Sequence, residues 1–264
     1  MQPIWNRAQF KQTGKDTFLS NYWPFVGVCV LLALLSGDLF SLQLQQISRE
    51  LVSNSILIYD DPSLGNAVAY GAQLLSPYLA PFAAGSLLLS LLVVFPLQVG
   101  ASRFFLESRP GYKAPFQRIG HGFVENYGNV FLTGLFKWLF TLLWSLLFLI
   151  PGIIRSFGYF AVPYILAENP NLDHSRALQL SLQMTKGYKW DIFVLELSFL
   201  GWFLLSGISF NIAGIFYVNP YYQATLAEAY RFLRENAMAN GYTNSSELPG
   251  TQPPLWNGGT GVGL

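Results

Sequence analysis

The sequence predicts an all-α polytopic membrane protein, a bundle of six transmembrane helices arranged as three hairpins. Three observations carry that expectation. Hydrophobic residues make up 52% of the 264 positions and charged residues only 11%, against about 25% charged in a typical soluble domain. So little charge cannot cover a globule with water-facing groups, and a bilayer is the solvent that accepts the rest. The apolar residues are gathered in runs close to the roughly 20 residues that a spanning helix needs. The basic residues collect between alternate runs, as the positive-inside rule requires.

The first run is Trp23 to about Leu39, preceded by Arg7, Lys11 and Lys15. That basic lead is long, and "LLALLSGDLF" offers no small-x-small cleavage site, so the run reads as an uncleaved membrane helix and not as a signal peptide. Residues 41–76 form a long external segment, in which "LQLQQISRELV" has the periodicity of a helix lying on the membrane surface. The second run, about Tyr78 to Phe105, is longer than a span requires, which suggests tilt or partial burial. The third, Val130 to Ile150, ends at "IPG", where proline removes an amide donor and glycine tolerates a turn. The fourth, about Ile153 to Leu166, is short.

Residues 172–187 read as a cytoplasmic amphipathic helix with Asp173 as N-cap and Gly187 as stop. Ala177, Leu178, Leu180, Leu182 and Met184 share its apolar face. Asp191 to Val218 could be one long span, but "SGISFNIAG" in its middle favours a turn. That gives a fifth helix from Asp191 to about Leu205 and a sixth from about Ile212 to Leu233. With six spans nearly all basic residues, including Arg103, Arg118, Arg176, Lys189, Arg231 and Arg234, fall on one side, which the rule makes cytoplasmic together with both termini. Only Arg49 and Arg155 fall on the other. The expected domains are therefore a membrane domain over residues 1–240 and a disordered tail over 241–264, rich in Gly, Pro, Ser and Thr.

The hairpins echo one another. "SNYWPFV", "ENYGNVF" and "KGYKWDIF" each lead into an outgoing run, and the returning runs carry Pro96, Pro163 and Pro220. Each proline, expected to kink its helix, is followed four residues on by a small residue, Gly100, Ala167 or Ala224. A threefold internal repeat of lead, outgoing helix and return fits this pattern. Interfacial anchoring alone also accounts for its tyrosines and tryptophans, and both readings stand.

Two charges fall inside spans. Lys137 in the third and Glu196 in the fifth lie at similar depth, roughly 8–12 Å from the cytoplasmic side at 1.5 Å per residue. A charge at that depth is costly unless paired or wetted; an ion pair between them, a proton or substrate relay, and snorkelling to the interface are the three readings. Asp38 and Arg155 could pair at the outer surface, and Glu228 with Arg231 on one helix face. Cys29 is the sole cysteine, and His121 and His174 have no companion at ligand spacing, so no metal site is expected. No catalytic or cofactor motif is present, so no catalytic residues and no cofactor are expected. A net charge of +1 gives no case for nucleic acid; the expected partners are membrane lipids and a further membrane protein.

Taken together, "IPGII", "ENPNL", "KGYKW" and "NPYYQAT" resemble the bacterial integral membrane family called domain of unknown function 975. The likeness is good over the C-terminal half and loose over the N-terminal half. Asp173 stands where a serine-like cap is expected, and Arg176 where an acidic residue would complete a capping box. The resemblance implies a six-helix protein of the bacterial plasma (inner) membrane with no established activity. A more distant similarity, to the membrane portion of some glycerophosphodiester phosphodiesterases, implies lipid-related work by analogy. The expected function is a non-enzymatic transport or lipid-handling module; the alternatives are an accessory membrane subunit with no transport path and, third, an intramembrane enzyme.

Overall fold

The computed structural model describes residues 4–35, 85, 90–147, 149–209 and 211–251. Among these the regular structure is helical, apart from one isolated bridge between Arg109 and Tyr112. Helix α1 (Arg7–Ser20) is capped by Asn6, whose Oδ1 accepts from the amide of Gln9 at 3.1 Å. Helix α2 (Tyr22–Leu35) follows after Asn21 at an angle of 98°. The Asn21 side chain holds that bend by donating to the carbonyls of Thr17 (3.1 Å) and Arg109 (3.0 Å). Next come α3 (Phe95–Glu107), a 3-10 turn (Phe116–Gly120) and the short α4 (His121–Val124). Helices α5 (Tyr127–Leu147) and α6 (Leu149–Gly158) lie against each other, so closely that a Cβ on Gly152 would meet Ser145 Oγ at 2.2 Å. After them run α7 (Val162–Glu168), α8 (His174–Met184), α9 (Lys189–Leu197), α10 (Leu200–Ile208) and α11 (Asn219–Ala239).

The chain forms two units, residues 31–94 and the rest. Of the first, the described residues comprise the end of α2, Gly85 and a π-helical turn, Ser90–Val94. In the second, each segment expected to return packs on a segment expected to lead. Helix α3 is covered by the 3-10 turn and α4: a Cβ on Gly100 would lie 1.8 Å from the Ile119 carbonyl oxygen, and one on Gly122 2.1 Å from that of Pro96. The end of α6 meets α8, where Ser181 and Thr185 hydroxyls both donate to the Gly158 carbonyl at 2.8 and 3.2 Å. Helix α11 meets α1, and a Cβ on Gly14 would come within 2.8 Å of the Thr225 amide. The returns also touch one another: α3 packs on α7 and α11, and Tyr164 of α7 stacks on Tyr230 of α11 at 5.0 Å. Phe104, Ile165, Leu166 and Tyr230 are sealed there.

Among the described residues two helical stretches are long and apolar enough to cross a membrane: α5, and α9 with α10 taken as one 20-residue helix, Lys189–Ile208. The bent pair α1 and α2 would make a third. The expectation of six spans is therefore not met among the described residues, for reasons that differ by segment. The fourth run is divided into α6 and α7 of 10 and 7 residues by a turn at residues 159–161. In the sixth, α11 carries Glu228, Arg231 and Arg234 and is too polar to qualify. Most of the second run, and the external segment 41–76, lie outside the described residues. The turn expected within Ser206–Gly214 is present: Asn211 has a φ of +66°, and its amide donates to the Ser206 carbonyl at 2.8 Å.

The "IPG" motif is placed differently from expectation. Pro151 is the third residue of α6, inside the first turn, where a missing amide donor costs nothing. The three prolines expected to kink the returns share one position: Pro96, Pro163 and Pro220 are each the second residue of a helix. Two are preceded by π-helical turns, Ser90–Val94 and Gly214–Val218, and the third by the turn at 159–161. The expected tail also departs from a free chain as far as Thr251. Arg176 grips Glu247 through Nε (2.5 Å) and Nη2 (2.9 Å), Arg234 donates to the Leu248 carbonyl (2.7 Å), and Asn169 to that of Glu247 (3.0 Å). Residues 252–264 lie outside the described residues.

Candidate functional site

Lys137 is the eleventh residue of α5, and its ammonium lies 5.7 Å from the centre of the Phe95 ring. It has no carboxylate within 4 Å among the described residues. Glu196 of α9 instead faces the hydroxyl of Tyr222 on α11. The two intramembrane charges are thus not brought together. Arg155 donates from Nε to the Tyr159 hydroxyl at 3.1 Å, and its guanidinium lies 5.5 Å from the Trp144 ring. It is also near Lys189, which the sequence places on the opposite side of the membrane. Its suggested partner Asp38 lies outside the described residues. Glu228 and Arg231 do pair.

The ends of the returning helices hold a polar cluster that the sequence reading missed. Glu107, fully buried, accepts from Arg103 Nε at 2.5 Å and from Arg118 Nε at 2.8 Å. Glu168, nearly buried, accepts from the Tyr230 hydroxyl (3.0 Å), Arg234 Nε (2.9 Å) and the Gly250 amide (2.9 Å). Neighbouring helices cap one another as well. Arg103 of α3 donates to the Ala167 carbonyl at the end of α7 (2.7 Å), and Arg231 of α11 to the Leu106 carbonyl at the end of α3 (2.8 Å). Each guanidinium satisfies orphan carbonyls at the negative end of a helix dipole. In sequence these arginines look like ordinary loop charges. The available signal was a carboxylate at the end of two otherwise apolar or small-residue runs.

Beside this cluster lies a surface pocket of about 340 Å³, whose lining includes Gln117, Arg118, Gly120, His121, Val124 and Glu125. The His121 side chain is only 8% exposed. Its Nε2 is buried with no hydrogen-bond partner, and its Nδ1 is 3.7 Å from Glu125, beyond hydrogen-bond length. Burial, helped by the positive charges of Arg103 and Arg118, holds this imidazole below its ordinary titration range, against the opposing pull of Glu125 and Glu107. Among the described residues no group of three His, Cys, Asp or Glu could hold a metal ion.

Large apolar residues are left bare elsewhere. Leu143, Leu146 and Leu147 of α5 and Leu204 and Ile208 of α10 are exposed, and Trp23 and Trp190, the second residues of α2 and α9, are 72% and 71% exposed. The structure thus sets a bare apolar surface on α5 and α10 against a tightly hydrogen-bonded polar cluster at the ends of α3, α7 and α11.

The family model for the Protein of unknown function (DUF975) matches residues 86–237 of this chain, from before α3 to near the end of α11. No curated protein and no solved structure matches it.

Proposed function

Starting from the fact that the chain belongs to the DUF975 family, whose model covers more than half of it, we propose that it is a non-enzymatic integral membrane protein that handles lipid at the cytoplasmic leaflet. One observation carries the reading: the same fold has bare apolar surfaces on α5 and α10 and a hydrogen-bonded, arginine-rich cluster at the ends of α3, α7 and α11. Exposed Leu and Ile at this density are unfavourable in water and favourable against acyl chains. Exposed tryptophans near the starts of α2 and α9 suit the interface. The basic cluster suits the anionic cytoplasmic leaflet, and both termini would then lie in the cytoplasm of the bacterial plasma membrane, with the lead and return segments related as three repeats. The cyclic packing of each return on a lead segment, α3 on α4, α6–α7 on α8 and α11 on α1, supports that threefold arrangement.

The test is purification of the full chain from membranes in mild detergent, with bound lipid identified by mass spectrometry and lipid movement followed after reconstitution. Stoichiometric retained phospholipid is expected. A chain that carries no lipid above the detergent background, and extracts from membranes at alkaline pH, would sink the proposal. A second reading, a transport path, is favoured by Lys137, a half-buried cation in an apolar helix with no carboxylate within 4 Å among the described residues. It requires that Lys137→Gln abolish solute flux while leaving lipid retention intact.

A further inference from the structure

We propose that the pocket beside α4 binds the phosphate of a membrane-lipid headgroup; the proposal rests on the lipid-handling reading above. The inner wall supplies positive charge. Arg118 uses Nε on one oxygen of Glu107, and Arg103 uses its Nε on the other. Two guanidiniums against one carboxylate leave a surplus of one positive charge (2 − 1) at that wall. The two Nη groups of Arg118 have no protein partner among the described residues, and a guanidinium fork with free Nη groups matches phosphate oxygens in shape as well as charge.

Beside it stands His121, its side chain more than nine-tenths buried, with Nε2 unpartnered and Nδ1 too far from Glu125 for a hydrogen bond. A buried polar atom left without a partner is unusual in a folded protein, and His121 is part of the pocket's lining. Gln117 adds an amide to the lining. At Gly120 nothing lies within 4 Å of where a Cβ would stand, so the pocket is open over that residue.

The outer side is apolar. Val124 is 82% exposed, with Phe116 and Phe123 also bare. Val124 sits three residues before the start of α5, one of the stretches apolar enough to span. A group held at Arg118 would therefore lie at headgroup level, with acyl chains free to run along α5. Glu125, on the rim and more than half exposed, would repel a bare phosphate dianion. It would favour a headgroup that carries an ammonium beyond its phosphate, as phosphatidylethanolamine does.

The experiment uses the full chain in detergent. Lipid retention is read by native mass spectrometry, and folding by thermal unfolding without added lipid. The probes are phosphatidylethanolamine, diacylglycerol with the same acyl chains, soluble glycerophosphoethanolamine and inorganic phosphate. The variant Gly120→Leu fills the pocket without touching an ion pair; Gln117→Trp serves the same end if Gly120→Leu lowers the unfolding temperature. Phosphatidylethanolamine is expected to be retained by the native chain and to bind at least tenfold more weakly to the filled variant. Diacylglycerol should not be retained, and glycerophosphoethanolamine should compete. Equal retention of diacylglycerol, or binding of inorganic phosphate with no phospholipid, would overturn the assignment. If the filled variants keep native phospholipid affinity, the pocket assignment falls while lipid handling stands. If no form of the chain retains any lipid, both fall.

Discussion

Glu168 has three donors around one carboxylate, from Tyr230, Arg234 and the Gly250 amide. Removing one member of such a buried pair leaves the other charge without compensation, which costs roughly 3–5 kcal/mol. Glu168→Ala is therefore expected to destabilise the fold by an amount in that range, read from the denaturant midpoint in detergent. A loss below about 1 kcal/mol would mean that Arg234 is solvated and the site is not closed. His121 gives a prediction with a sign. Its pKa in the fold is lower than the ordinary 6.5, chiefly through burial. The unfolded chain then binds the proton more readily, so stability is complete above about pH 6.5 and is lost as pH falls below it. The charges acting on the ring are Arg103, Arg118, Glu107 and Glu125. The unfolding temperature of the native chain should drop between pH 7.5 and pH 5.5 more steeply than that of His121→Gln; parallel curves would remove the assignment.

At the scale of elements, the lead segments lie on the returns because glycine lets backbone approach backbone. Gly100→Ala would place a carbon 1.8 Å from the Ile119 carbonyl oxygen. The 3-10 turn must then shift, at a cost of roughly 1–3 kcal/mol. Gly128→Ala in α5 meets nothing within 4 Å and is the control, expected to be neutral or slightly stabilising. The strap formed by residues 240–251 gives a further prediction. Glu247 is held below the usual carboxylate range first by its hydrogen bond from Arg176. The strap should hold at neutral pH and loosen as pH falls through that lowered range. Glu247→Gln should speed proteolysis after residue 240 at pH 7, consistent with loss of about 1 kcal/mol from one partly exposed pair; an unchanged digestion rate would argue against it.

These elements also show what the sequence could and could not tell. Asp173 is the N-cap it looked like, accepting from the amides of Ser175 and Arg176, whereas α8 stops at Met184 with Thr185 as C-cap, and Gly187 has its positive φ (+88°) in the turn two residues beyond that cap. Arg176, which spoils a capping box, has its reason 71 residues away in Glu247. That reason is tertiary and leaves no local trace. Periodicity and turn chemistry are local, so the cap and the turn near Asn211 were readable. Partners at long range were not: Lys137 and Glu196 matched in depth, but depth along two helices says nothing about which faces meet. For the same reason the buried carboxylates of α3 and α7 went unseen: the Arg103–Glu107 spacing is local, but the burial of Glu107 under Arg118 and of Glu168 under Arg234 depends on segments distant in sequence.

The whole molecule combines two solvents' requirements. Around α3, α7, α8 and α11 it is packed and hydrogen-bonded like a water-soluble core, whereas α5 and α10 expose leucine and isoleucine. The packing is also cyclic, with each return laid on a lead segment and the last return laid on the first lead. That closure has a consequence during synthesis. Gly14 meets Thr225, so 211 residues (225 − 14) separate the two sides of the contact. At typical translation speeds the first helix waits roughly 10–40 s for the last to be made. Through that interval Phe10, Thr17 and Phe18, buried in the finished fold, have no native cover from α11. The nascent protein must shelter α1 on the bilayer or a chaperone, and a ribosome stalled before residue 219 would release a chain that cannot close.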